Sequence, residues 1–243
     1  MRRRTSYVPE RLDLFERWAK NYDDSVEGSE GFPFTGYAEV LARAVTLAAP
    51  TPDMRVLDLG TGTGNLAERF AQVDAKVWGL DFSEEMLAKA RVKVPNATFL
   101  QADLLNDWSR LPEFERIVSA YVLHEFDIET KLEILRKSTQ HLMNGGSIVL
   151  ADIAFPNEEV FEQAHERWQE VWDEGEYYWI ADEALTACEE VGLEGRYEQV
   201  SSCAGIFIFR PTWTRPLPLG LSPRPNPGAA TSRPPCAGPL SSS

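Results

Sequence analysis

Apolar residues recur along this chain with two periods. Val8, Leu12, Phe15, Trp18 or Ala19, and Tyr22 follow helical spacing, as do Val40, Leu41, Ala44, Val45 and Ala48, so two amphipathic helices are expected first. Short, nearly continuous apolar runs then alternate with helical stretches. They predict strands at 55–59, 76–81, 97–101, 116–120 and 147–152, separated by helices at 64–71, 83–92 and 128–141. Ser83 stands where an N-cap belongs, with Glu84 and Glu85 in the turn where the helix dipole favours acids. Such alternation predicts a parallel sheet with right-handed crossovers. Farther on, the spacing predicts a long helix at 157–174, with Val160, Ala164, Trp168, Val171 and Trp172 on one face, then a helix at 181–191. Strands at 196–202 and 205–210, joined by a tight turn at Gly205, form an antiparallel edge hairpin. The expected fold class is α/β: a doubly wound, seven-stranded, mostly parallel sheet, covered by helices from the N-terminus and residues 157–191.

Composition divides the chain in two. Residues 211–243 hold nine of the sixteen prolines, three arginines and no acid. Such a segment has too little apolar surface to offset the entropy of ordering it, so 1–210 is expected to be the domain and 211–243 a disordered tail. A formal charge of -14 argues against nucleic acid or an anionic membrane as partner. No apolar run approaches the ~20 residues of a membrane span, and no apolar stretch follows Met1-Arg2-Arg3-Arg4 as in a signal peptide. Cys188, Cys203 and Cys236 lack metal or redox spacing, which suits reduced thiols in a cytoplasmic protein.

The chemistry concentrates at Val56-Leu57-Asp58-Leu59-Gly60-Thr61-Gly62-Thr63-Gly64, a buried strand entering a glycine-rich turn ahead of a helix. Glycine lets backbone N–H groups approach a ligand, and the helix N-terminus favours negative charge there. Asp81 ends the second strand, where an acid reaches ribose hydroxyls in a doubly wound sheet. Two ligands fit. Gly62 to Ala67 satisfies the G-x-G-x-x-A dinucleotide pattern, with Asp81 following 19 positions after Gly62. A turn made for pyrophosphate gains nothing from Asp58, however, whereas a zwitterionic amino acid bearing a sulfonium gains from a carboxylate near its ammonium.

Asp58 to Gly64 resembles motif I of the class I S-adenosylmethionine-dependent methyltransferases. Four further segments resemble that family's later motifs, in order: VWGLDFSEEML, FLQADLLND, FERIVSAYVLHEF and LMNGGSIVLADIAF. The resemblance covers about residues 7–210 and extends to the small bacterial YrrT-type members, through a W-A-x-x-Y-D opening and G-T-G-N-L. It implies a Rossmann-like domain and S-adenosyl-L-methionine as cofactor. It implies a cofactor site drawn from Asp58, Gly60, Thr61, Gly62, Gly64, Asp81, Phe82, Ser83, Asp103, Leu104 and Ala120, with Tyr22 closing over it. Within that site Phe82 would flank the adenine and Asp103 would meet its amino group.

The catalytic candidates are His124 and Glu125, beyond the fourth strand. His124 is either a general base or a structural hydrogen-bonder at a strand-to-helix corner, and Glu125 either acts on the acceptor or caps the next helix. Relatives often carry two histidines here, so Glu125 departs from the pattern. No ligand spacing points to a structural metal. The expected activity is methyl transfer to a small-molecule acceptor. The alternatives are an NAD-dependent oxidoreductase, which would need hydride-transfer residues not evident here, and a cofactor-binding regulator without turnover.

Overall fold

The computed structural model describes residues 22–26, 31–106 and 108–213. Most of the expected first helix and nearly all of the expected tail lie outside that range. The described elements begin with α1 (Tyr22–Val26) and α2 (Tyr37–Ala48). Alternation follows: β1 (Arg55–Leu59), α3 (Asn65–Ala71), β2 (Lys76–Asp81), α4 (Glu84–Lys93), β3 (Thr98–Gln101), β4 (Phe114–Ala120), α5 (Ile128–Gln140) and β5 (Leu142–Phe155). The chain closes with α6 (Glu158–Trp168), β6 (Trp179–Ile180), α7 (Ala181–Glu190), β7 (Leu193–Gln199) and β8 (Ala204–Pro211).

The sheet runs β3-β2-β1-β4-β5-β8-β7, and the two-residue β6 adds to the end of β5. Pairing is parallel from β3 to β5, while β8 is antiparallel to both β5 and β7. The strand order reverses between β1 and β4, which opens a crevice at their carboxyl ends. Val56 to Leu59 are all buried because helices cover both faces. One core holds Leu41, Phe70, Leu87 and Ile206, and the other holds Leu57, Ile134, Trp179 and Phe207. Ser83 caps α4 as expected, accepting from Met86 N–H at 3.3 Å.

Three local expectations shift, each for a stated reason. Gly205 lies inside β8 opposite Gln199 and does not form the turn. Its missing side chain admits the Tyr197 ring, which a Cβ would meet at 2.4 Å, and Tyr197 Oη donates to Ala154 O at 3.1 Å. The turn is built instead by Ser201, whose Oγ accepts from Ala204 N–H at 3.1 Å. The long helix ends at Trp168, and Asp173 then accepts from Gly175 N–H at 2.7 Å in a tight turn. Lastly, α7 buries Ala181, Ala184 and Cys188 in the core, so it packs on the sheet and does not belong to a cover.

Candidate active site

The crevice holds a pocket ringed by the glycine turn, the end of β2 and the segments that follow β3 and β4. Of the residues expected to bind cofactor, Asp58, Gly60, Thr61, Gly62, Asp81, Phe82, Asp103, Leu104 and Ala120 line it, as does Glu125. Gly64, Ser83 and His124 do not, and the Tyr22 side chain lies outside the described residues.

The two glycines at the start of the turn serve different ends. A Cβ on Gly60 would lie 2.5 Å from the Val122 side chain, so this glycine lets the turn pack against the segment after β4. A Cβ on Gly62 would meet nothing within 4 Å, yet the residue sits at φ +53 on the pocket wall. The space beside Gly62 therefore opens into the pocket.

Two buried carboxylates stand behind that space. Asp58 Oδ2 accepts from Thr61 Oγ at 2.7 Å. Asp81 Oδ2 accepts from Gly62 N–H at 2.8 Å, and Oδ1 from Ser83 N–H at 2.9 Å. Ser83 thus acts through Asp81. Burial pushes the Asp58 carboxyl up to about 7, and the Asp81 charge adds to that rise, while the Thr61 bond opposes it. Burial likewise pushes Asp81 up to about 6 against the pull of its backbone donors. Both carboxyls hold protons more tightly in the fold than in the unfolded chain. Their contribution to stability is complete below about pH 4 and is lost as pH rises through 6 to 7.

The wall over the glycine turn comes from elements whose role the periodicity did not reveal. Tyr37, Asn65, Met86, Tyr121 and Phe126 also line the pocket. Tyr121 packs against Phe34 and Tyr37 at ring distances of 5.6 and 5.2 Å. It sits at φ +56, an unfavourable region for a bulky residue, and its buried hydroxyl has no hydrogen-bond partner among the described residues. From α1, Asp23 reaches the turn: Oδ1 accepts from Thr63 Oγ at 2.5 Å and Asn65 Nδ2 at 3.1 Å, and Oδ2 from Lys93 Nζ at 3.0 Å. Burial opposes ionisation of Asp23, but these donors and the Lys93 charge hold its carboxyl below the usual range.

At the other end of the pocket, a one-turn 3-10 helix (Leu123–Glu125) carries both catalytic candidates. Glu125 does not cap α5. Asp127 does, accepting from Thr130 N–H at 2.8 Å. His124 is 7% exposed, and its Nδ1 lies 2.6 Å from Asp152 Oδ1. Asp152 Oδ2 also accepts from His124 N–H and from Trp179 Nε1, each at 3.0 Å. Burial works against the Asp152 charge, but His124 and Lys131 outweigh it and hold the carboxyl below its ordinary range. Burial pushes Lys131 down to about 8. Glu176, which the linear sequence did not single out, comes within 3.9 Å of His124 Nε2. Its segment is fastened there by Tyr177 N–H, which donates to His124 O at 2.6 Å.

Comparison with known proteins agrees with this geometry. A family model described as a methyltransferase domain matches residues 56–146. An uncharacterized methyltransferase of Geobacillus kaustophilus is 35% identical over 199 residues, covering 77% of this chain and 91% of the relative. The YrrT methyltransferase of Halobacillus halophilus is 28% identical over 208 residues, covering 81% and 95%. Among solved structures, the DhpI-SAM-HEP complex aligns with a TM-score of 0.66 at 20% identity over 86% of this chain and 100% of that one. Magnesium protoporphyrin IX methyltransferase from Synechocystis, with bound SAH, gives 0.66 at 17% identity over 82% and 97%. The fold and the pocket are those of a class I S-adenosylmethionine-dependent methyltransferase. Within that class, the chain belongs to the family that includes the Geobacillus and YrrT methyltransferases.

Proposed function

We propose that the methyl acceptor is a small molecule, met at the Glu125 end of the pocket. The observation that carries this is the enclosure of the site. Tyr37, Tyr121 and Phe126 wall the pocket, and Asp23 ties α1 across the glycine turn. A polymer needs a broad groove, and nucleic acid a basic surface. The charge of -14 opposes nucleic acid, and among the described residues no helix is long and apolar enough to cross a membrane. Magnesium protoporphyrin IX methyltransferase carries a small-molecule acceptor in its name. Buried thiols at Cys188 and Cys203 suit the reducing cytoplasm, where we place the enzyme.

In this reading Asp81 takes the ribose hydroxyls, Asp58 supports the amino-acid end, and Asp103 and Leu104 line the adenine end. His124 and Glu125 handle the acceptor. The test is release of S-adenosylhomocysteine on incubation with S-adenosylmethionine and panels of small thiols, amines, phenols and carboxylates. Product with at least one small acceptor is expected. Product only with protein or RNA would overturn the reading, and binding without any product would make the chain a regulator.

Asp81→Ala is expected to weaken S-adenosylmethionine binding at least about tenfold, since each charge-assisted hydrogen bond contributes about 1.5–3 kcal/mol before desolvation. Unchanged affinity by calorimetry, in a folded variant, would remove the ribose assignment. Affinity should also depend on pH. The cofactor's ammonium and sulfonium favour an ionised Asp58 and its ribose hydroxyls an ionised Asp81, and burial pushes those carboxyls up to about 7 and about 6. Binding should therefore tighten between about pH 5.5 and 7.5 and release protons. Calorimetry at about pH 6.5 in buffers of different ionisation enthalpy measures that release, and zero release would contradict the charge assignment.

A further inference from the structure

His124, Glu125 and Glu176 converge from two segments of the chain. The first two follow β4, and the third lies between α6 and β6. We propose that these three side chains hold a divalent first-row metal cation, of the zinc or manganese(II) kind, at the acceptor end of the pocket.

The imidazole is already set for this task. Asp152 fixes Nδ1 at 2.6 Å and the His124 backbone N–H at 3.0 Å, so ring and backbone are both held. With Nδ1 carrying the proton, Nε2 presents its lone pair. This is the carboxylate–histidine arrangement that orients metal-bound imidazoles and raises their basicity. The His124 side chain is 9% exposed, and among the described residues Nε2 makes no hydrogen bond.

Nε2 instead faces two carboxylates. It lies 3.9 Å from Glu125 Oε1 and 3.9 Å from Glu176 Oε1, and the three donor atoms fall within 4.8 Å of one another. Those separations are too long for hydrogen bonds. They are longer than the ~3.3–3.6 Å between ligands around a tetrahedral ion at metal–ligand distances of about 2.0–2.2 Å, so side-chain rotations must draw the set together. Charge points the same way. The Glu125 and Glu176 side chains are 8% and 17% exposed, so two acids are gathered where little water reaches them. A dication neutralises both. One imidazole with two carboxylates suits zinc or manganese, whereas magnesium and calcium prefer all-oxygen sets and copper(I) prefers sulfur.

Glu125 lines the pocket, so the ion would adjoin the acceptor. This consequence rests on the methyl-transfer reading; the ion site itself does not. An acceptor hydroxyl, carboxylic acid or thiol bound to the ion loses its proton to solvent at lower pH than when unbound. Its O or S lone pair then forms the bond to the methyl carbon as the C–S bond of the sulfonium breaks. That bonding pair stays on sulfur, giving neutral S-adenosylhomocysteine. The acceptor class is therefore an oxygen or sulfur acid able to ligate a dication.

The test uses full-length protein stripped with a chelator. Manganese(II) binding is followed by the paramagnetic resonance of the free ion, and zinc competition by a chromophoric chelator. One equivalent should bind, and zinc should displace it. Glu176→Gln should weaken binding at least about tenfold, and Asp152→Asn about 10- to 100-fold as a positioning residue. S-adenosylhomocysteine affinity, measured beside each titration, reports that the fold is intact; if Glu176→Gln loses it, Glu125→Gln is read instead. No binding up to about 1 mM metal by a protein that still binds S-adenosylhomocysteine would overturn the ion site and leave methyl transfer standing. Binding indifferent to both glutamate substitutions would also overturn it. Metal binding that depends on Glu176, with no S-adenosylhomocysteine binding, would retain the ion site and count against the cofactor pocket.

Discussion

Gly62→Val should yield a folded protein whose affinity for S-adenosylmethionine falls by about 100-fold or more, because the new side chain occupies the ligand's space. Gly62 sits at φ +53 on the pocket wall, and a Cβ there meets no protein atom within 4 Å. The isopropyl group therefore meets no protein atom and projects where the cofactor must lie. The left-handed backbone costs a non-glycine residue about 1–2 kcal/mol, which a domain with two extensive cores tolerates. Gly60→Val is the informative contrast. Its Cβ would strike Val122 at 2.5 Å, so that variant should lose stability as well as binding. Thermal melts beside calorimetric titration separate the two. Normal titration of Gly62→Val would show that this glycine serves only the turn's own geometry.

His124→Gln should lower kcat by about 10²- to 10⁴-fold while Kd for S-adenosylmethionine stays within about twofold. His124 is absent from the wall of the cofactor pocket, but its neighbour Glu125 is part of it. Its Nδ1 is committed to Asp152, so Nε2 is the atom it presents at the acceptor end, as ligand to the proposed ion or, without the ion, as a base. Glutamine keeps the size and a hydrogen bond but offers only a weakly basic amide in place of that nitrogen. The replacement also disturbs the Asp152 network, so a loss of about 1–3 kcal/mol in stability is expected alongside. Full turnover with only reduced stability would reduce His124 to a corner residue. Equal loss of turnover and cofactor affinity would move it into the cofactor site.

The parts of this protein legible in the sequence are those governed by local rules. β1 and β2 are short, mainly apolar runs, and both fall at the expected bounds because burial on two faces demands nearly continuous apolar residues. Ser83 caps α4 because capping is a matter between near neighbours. What stayed hidden depends on distant approach. Gly205 carried the signature of a turn, yet its real constraint is the ring of Tyr197 on the neighbouring strand β7. Trp168 to Trp172 kept helical spacing past the point where the helix stops. The ring of Phe32, 5.1 Å from Trp168 and 5.3 Å from Trp172, packs both indoles across that break. Tyr121 carries no signal in the linear pattern, and its part comes from its backbone angle and its place in the pocket. Glu176 joins His124 through a backbone bond from Tyr177, and no periodicity encodes such a bond.

Asp23 has a further consequence, for what the N-terminal segment can sense. Its carboxylate touches Thr63 and Asn65, and both residues line the pocket. A helix and a ligand site that share side chains share free energy. If the ligand moves Thr63 or Asn65, it changes the strength with which α1 is held. By the same amount, α1 changes the affinity for the ligand. Substitutions in α1 would then shift cofactor affinity without touching the cofactor, and a spectroscopic probe on that helix would report whether the pocket is occupied.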